Sequence, residues 1–127
     1  VVKNVSDCKP EFRGLVKTEW MPKRRMLLLS AVMFTDKNCI TWIAKQGSII
    51  DGASIPKLFW RIIGSPFVGQ FRRASVIHDV YCESKSRPHK DVHQVFYEMM
   101  LCDNVPLWKS KFMYWAVKSF GPKWENC

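Results

Sequence analysis

No stretch of this 127-residue chain is apolar for long enough to form a membrane-spanning helix. The longest apolar run, Met26 to Phe34, is interrupted by Ser30 and falls far short of the roughly 20 residues such a helix needs. Metal-finger spacing is missing as well, because Cys8, Cys39, Cys82, Cys102 and Cys127 all stand far apart. Internal repeats and low-complexity tracts are absent, which excludes solenoid arrays and flexible linkers. Acidic residues are few: 11 Asp and Glu face 20 Lys and Arg, for a formal charge of +9. What is present is apolar material, 47% hydrophobic against 24% charged, too rich for a disordered tail. A single domain over 1–127 is expected, since a chain of this length buries roughly two-thirds of its unfolded surface. The odd cysteine count leaves at least one thiol without an internal partner, and one or two disulfides would suit a secreted or periplasmic protein. The chain opens Val1-Val2-Lys3 with no initiator Met, as after removal of a leader or trimming.

The patterning predicts an α+β fold: a small N-terminal antiparallel sheet followed by a bundle of about three helices. Residues 1–50 read as β-rich. Phe12 to Trp20 and Leu27 to Phe34 are apolar segments separated by Pro22 and the basic Lys23-Arg24-Arg25, and Cys39 to Ala44 alternates weakly with period two. Asp36-Lys37-Asn38 has hairpin-loop chemistry. Residues 51–70 read as a structured loop with a short helix over Lys57 to Ile63, for which Ser54 is a candidate cap and Pro56 suits the first turn. From 71 onward the text is helical. Phe71, Ala74, Ser75, His78 and Cys82 share one face of a first helix. Val92, Val95, Phe96 and Met99 stripe a second, from about Lys90 to Cys102. Trp108, Phe112 and Trp115 stripe a third that starts at Pro106 and stops at Gly121-Pro122.

His78-Asp79 carries the chemistry. Neighbouring side chains on a helix diverge by about 100°, so His78 points inward while Asp79 points aside. An imidazole near neutral pKa accepts a proton from water or holds a metal, and a carboxylate beside it holds a cation. The bland alternative is a buried histidine with Asp79 on a solvated face. Asp91 and His93 flank the next helix's apolar stripe on opposite sides, and periodicity does not choose between them. His89 and His93 have metal-ligand spacing, although Pro88 makes His89 a first-turn surface residue. In Asp51-Gly52-Ala53-Ser54-Ile55-Pro56, Gly52 permits a sharp turn, and Asp51 with exposed carbonyls suits calcium. The plain reading there is an ordinary turn. Ser54 has no base near it in sequence, which argues against a serine hydrolase.

Two family resemblances bear on these residues. Ile49-Ile50-Asp51-Gly52-Ala53-Ser54-Ile55-Pro56, Gly64-Ser65-Pro66 and Ala74-Ser75-Val76-Ile77-His78-Asp79, with Gly121 and Trp124, resemble a bacterial and phage family known as domain of unknown function 1353. That resemblance covers nearly the whole chain. It implies the fold and a bacterial, prophage or phage source, hence phage or host cytoplasm as the alternative location, and brings no activity. Fainter is a similarity over residues 51–121 to small secreted bacterial phospholipases A2, carried by Asp51-Gly52, Pro66-Phe67, His78-Asp79, Phe96-Tyr97-Glu98 and Cys102. It implies His78 as the base for water, Asp79 as a calcium ligand and Asp51 near the calcium loop. The chain departs from that pattern twice. Cys82 stands where a tyrosine is usual, and His93 stands where an aspartate would orient the base, with Asp91 two residues further off. A neutral imidazole does not stabilise an imidazolium as a carboxylate does. His78, Asp79 and His93, with Asp51 nearby, instead suit a metal, calcium or zinc, with zinc keeping an open position for water.

The expected function is a metal-assisted hydrolase of a bacterial envelope component, phospholipase A2-like, acting through His78, Asp79 and either His93 or Asp91. The basic surface would attract an anionic partner, phospholipid or cell-wall polymer. No helix-turn-helix or other reader signature accompanies the charge, so sequence-specific nucleic-acid binding is not expected. The alternatives are a non-catalytic phage or secretion-system module that binds another protein through a basic, aromatic surface, and a peptidoglycan hydrolase. Trp60, Phe67 and Trp124 are candidate membrane-surface or carbohydrate contacts, with core packing as their plain role.

Overall fold

A computed structural model of the chain describes residues 8–52, 54–62 and 70–124, together with the main chain of Ile63. Six short strands come first: β1 (Glu11–Arg13), β2 (Thr18–Met21), β3 (Arg25–Leu28), β4 (Val32–Thr35), β5 (Thr41–Ala44) and β6 (Ile49–Ile50). A 3₁₀ turn over Lys57–Phe59 runs into the short α1 (Trp60–Ile63). The long helices α2 (Arg72–Ser84), α3 (His89–Cys102) and α4 (Leu107–Phe120) follow. This is the expected α+β order. Gly64-Ser65-Pro66, Phe67, Ala53 and Cys127 lie outside the described residues.

The two apolar segments of the β-rich part are each divided, so the strands form two three-stranded antiparallel sheets rather than one. Their orders are β1-β4-β5 and β2-β3-β6. Gly14 makes the first division. Its φ is +91°, and a Cβ there would sit 2.5 Å from the Ala31 carbonyl oxygen, so only glycine fits this crossing of chains. Ser30 marks the second division, between β3 and β4. Along the strands the side chains alternate as a one-face-buried sheet requires: Met26, Leu28, Val32, Phe34, Trp42, Ala44 and Ile50 are buried.

Both sheets contribute to one core with Ile77, Phe96, Met99 and Met113 from the helices. Helix α2 packs against β4, β5 and β6 and also against α3, while α3 packs against α4. Because α2 is covered on more than one side, its buried set includes Ala74, Ser75, Val76, Ile77, His78, Asp79, Tyr81 and Cys82. The single inward stripe predicted from periodicity is therefore too narrow, and Asp79 is not on a solvated face. Helix α2 ends at Lys85, in the left-handed conformation with φ 55°, whose N–H donates to the Tyr81 carbonyl.

The hairpin between β4 and β5 has the expected loop. Asp36 is buried there, and its carboxylate accepts from the N–H groups of Asn38 (2.9 Å) and Ile40 (3.0 Å) and from Trp42 Nε1 (2.9 Å). A disulfide joins Cys8 to Cys39 at the same loop, with Cα atoms 5.4 Å apart. Cys82 and Cys102 are free thiols. Trp60 and Trp124 are half-buried against the core, and their indole N–H groups donate to the Ile55 and Arg87 carbonyls. Packing, not surface contact, is thus the role seen for both.

Removing the Asp36 carboxylate leaves three donors without their acceptor, one of them the buried Trp42 indole. Asp36→Ala should cost about 2–4 kcal/mol of unfolding free energy in urea titration. Asp91→Ala, at an exposed position, should stay within about 0.5 kcal/mol. Equal effects of the two substitutions would contradict the anchoring role of Asp36.

Candidate functional site

Three elements bring the polar residues together. Helix α2 supplies His78, Asp79 and Cys82, α3 supplies His93 and Phe96, and the segment after β6 supplies Ser54. His78 Nδ1 lies 3.1 Å from Ser54 Oγ, and His78 Nε2 lies 2.9 Å from His93 Nδ1. His93 Nε2 lies 2.9 Å from the Pro122 carbonyl oxygen. The His78 ring also stacks on Phe96, centroids 4.3 Å apart.

Hydrogen-bond chemistry fixes the proton positions along this series. The Pro122 carbonyl only accepts, so His93 Nε2 carries a hydrogen. Burial above all, with His78 also lowered by His93 and His93 by the nearby His89 and Lys123, pulls both imidazoles below the ordinary histidine pKa, against a smaller raising effect of the Pro122 bond on His93. Both are neutral at pH 7. His93 Nδ1 is then a lone pair, His78 Nε2–H donates to it, and His78 Nδ1 accepts from the Ser54 hydroxyl. The result is a hydroxyl–imidazole–imidazole–carbonyl relay, every member satisfied, with His78 fully enclosed.

Asp79 anchors the Asp51–Pro56 segment onto α2. Its Oδ2 accepts from the Asp51 N–H (3.2 Å) and its Oδ1 from the Ser54 N–H (3.3 Å). The Ser54 hydroxyl oxygen also lies within reach of it, although in the relay its one hydrogen is given to His78. Burial, and next the Asp51 carboxylate, push Asp79 up to about 6 in spite of these bonds. Each Asp79 oxygen, foreseen as a cation ligand, is thus engaged by main chain.

The structure changes the reading of Ser54 in two respects. The helical segment after it has Pro56 at its start with no side-chain cap, so Ser54 is not a capping residue. The base missing from its sequence neighbourhood arrives in space as His78, 24 positions on. Between Asp91 and His93 the structure chooses His93. Asp91 sits exposed in the first turn of α3, with no hydrogen bond to His78. Asp51 lies near Asp79 but outside the relay and is exposed. His89 is tied at Nδ1 to the main chain of Trp124.

Cys82, which sequence reasoning treated as a departure from a pattern, faces the relay with Sγ 3.7 Å from His78 Nε2 and 3.8 Å from Nδ1. Burial, helped by Asp79, pushes its thiol well above the ordinary cysteine range. Its spacing of four from His78 was the available signal. On the outer side, a cavity of about 560 Å³ reaches His93 and is rimmed by Lys90, Asp91, Tyr114, Lys118 and Lys123.

With this geometry in place, kinship can be set beside it. A family model described as "Protein of unknown function (DUF1353)" matches residues 26–117. The chain belongs to this family. Two bacterial relatives from Sinorhizobium fredii (strain NBRC 101917 / NGR234) are themselves uncharacterised proteins, y4jT and y4iH. The chain is 50% identical to the first over 103 residues, 81% of this chain and 31% of the relative. It is 40% identical to the second over 98 residues, 77% of this chain and 41% of the relative. The chain thus spans well under half the length of either. No solved structure matches it. The likeness to phospholipases A2 finds no support in these matches.

The raised Asp79 gives a signed prediction. Between pH 3.8 and about 6 the folded chain keeps a proton that the unfolded chain has lost. Wild-type stability therefore falls through that window as pH rises, by up to about 1.4 kcal/mol per unit from this group. Asp79→Asn carries no such proton. The stability of wild type minus that of Asp79→Asn should shrink by about 2–3 kcal/mol from pH 4 to pH 6.5 in urea titrations. Parallel pH profiles would contradict the raised pKa of the buried carboxylate.

Proposed function

We propose that this domain is a hydrolase of an anionic, ester-bearing envelope component, with His78 as its base. The observation that carries this reading is that the two nitrogens of one enclosed imidazole meet a hydroxyl and a second imidazole. That series is the arrangement of an activated nucleophile, in which a base contacts the attacking hydroxyl and a third group orients the base. Ser54 Oγ attacks the ester carbonyl, and its proton passes to His78 Nδ1. The Nε2 proton moves toward His93 Nδ1, so the positive charge is shared by two rings. His93 Nε2–H remains held by Pro122, and Asp79 beside Ser54 supplies negative charge. The tetrahedral intermediate expels the alcohol, which leaves with the proton held by His78. Water then attacks the acyl-serine and gives a proton to His78, and Ser54 Oγ takes that proton as the acid is released.

Ser54 is 3% exposed, so substrate reaches it only when a covering group moves aside while the Ser54–His78 contact is kept. The substrate's charge follows from the +9 of the chain and from the three lysines around the cavity at His93. A peptidoglycan-derived ester would use the same residues and differ only in what is bound.

A second reading, a binding module, is favoured by one separate feature. Phe59, Phe112, Trp115 and Phe120 form a ring cluster in which Trp115 is 50% and Phe120 60% exposed. Leu58 and Ile62, in and just after the turn that holds Phe59, are exposed too. Exposed apolar surface of this kind marks contact with a partner or a lipid surface.

An alkyl phosphonofluoridate, which phosphonylates activated serines, separates the two. The hydrolase reading expects one adduct on Ser54 by intact mass and peptide mapping, absent in Ser54→Ala. His78→Gln should slow labelling by about 10²–10⁴-fold. No adduct on the wild-type chain, or an unchanged rate in His78→Gln, would overturn the hydrolase reading and leave the binding module.

A further inference from the structure

The imidazole pair has a third neighbour that the relay does not use. Cys82 lies one helical turn after His78, and the ligand atoms of His78, Cys82 and His93 all fall within 4.8 Å of one another, each residue buried. Two nitrogens and a sulfur are the donors of zinc sites and are unsuited to calcium, which takes oxygen ligands. Zinc–nitrogen bonds of about 2.0–2.1 Å and zinc–sulfur bonds of about 2.3 Å, in tetrahedral geometry, set ligand atoms about 3.3–3.6 Å apart. The Cys82 Sγ to His78 Nε2 separation of 3.7 Å is already close to that. The 2.9 Å between His78 Nε2 and His93 Nδ1 needs to widen by about half an ångström, within reach of small ring rotations.

The outer support that zinc-binding histidines require is also built. His93 Nε2–H is held by the Pro122 carbonyl, and His78 Nδ1 faces Ser54 Oγ, which in turn reaches Asp79. We propose that the protein binds one zinc ion through His78 Nε2, His93 Nδ1 and Cys82 Sγ. Asp79 and Asp51, foreseen from sequence as ligands, are then outside the coordination set, and Asp79 acts through Ser54. Among the described residues no fourth His, Cys, Asp or Glu joins the three.

The protons balance as follows. In the metal-free chain one hydrogen lies between the imidazoles, on His78 Nε2. Zinc takes its place, and that hydrogen moves to His78 Nδ1, where it is donated to Ser54 Oγ. The Ser54 hydroxyl turns to donate to Asp79. The Cys82 thiol gives its proton to solvent, so one proton leaves for each zinc bound. In this state His78 Nδ1 no longer accepts from Ser54, and zinc occupancy and serine activation exclude one another. The zinc site stands whether or not Ser54 is a nucleophile.

The test uses the 127-residue chain, stripped with a chelator and titrated with Zn²⁺ or Co²⁺. One metal per chain is expected, with a thiolate-to-cobalt charge-transfer band in the near ultraviolet. Cys82→Ser should abolish the band and weaken Zn²⁺ binding by at least about tenfold, while Cys102→Ser should change neither. X-ray absorption of the wild-type zinc adduct, which needs no variant to fold, should show one sulfur and two imidazole nitrogens in the first shell. Failure to retain Zn²⁺, an all-oxygen shell, or a band that persists in Cys82→Ser would overturn the proposal.

Discussion

Two uncharged imidazoles sharing one hydrogen in the buried interior is the arrangement on which the rest of this site depends. It holds only while both rings are neutral. A second proton on His93, at Nδ1, would place two donors face to face, and one on His78, at Nδ1, would make that nitrogen a donor to Ser54 instead of an acceptor. The protein meets that condition by depth and by ends. Burial resists protonation of both rings, the Pro122 carbonyl fixes one end of the series, and the Ser54 hydroxyl fixes the other. The same low dielectric that makes a satisfied series rigid would make an unsatisfied member costly.

Helix α2 explains why these parts meet. It is covered by β4, β5, β6 and α3, and it therefore encloses the polar side chains of Ser75, His78 and Asp79. Asp79 binds the main chain of residues 51 and 54, which brings Ser54 to His78. The anchoring carboxylate and the hydroxyl it positions belong to one packing solution. Cys82 and Phe96 complete the walls, one offering sulfur and the other a flat apolar face. In the proposed zinc site a cation and a proton compete for the same gap between the rings.

The order of the fold was legible because it rests on local signals. Alternation in Cys39 to Ala44, the Asp36-Lys37-Asn38 turn and the stripes at Val92–Met99 and Trp108–Trp115 all report on nearest neighbours along the chain. The division of the β part into two sheets was not legible, because it turns on Gly14, where a Cβ would sit 2.5 Å from the Ala31 carbonyl oxygen, a close approach between distant positions. At the site, His78 and His93 were recognisable as chemistry-bearing residues. Ser54 was not, since the imidazole it meets lies 24 positions away and its resemblance to a helix cap was the stronger local cue. Helical periodicity left Asp91 and His93 equivalent, and only the packing of α3 on α2 separates them. Asp79 was misplaced for a related reason: one-stripe reasoning assumes that a helix has one covered side, and α2 has more than one.

The most direct test of the account is the protonation and tautomeric state of the two rings in the metal-free chain. Nitrogen-15 NMR of histidine-labelled protein at pH 7 reads it from ring-nitrogen shifts and their coupled protons. Two neutral imidazoles are predicted, each with its hydrogen on Nε2, and with a cross-ring coupling from His78 Nε2–H to His93 Nδ1. A doubly protonated His93, or a His78 with its hydrogen on Nδ1, would contradict the relay and remove the base from Ser54.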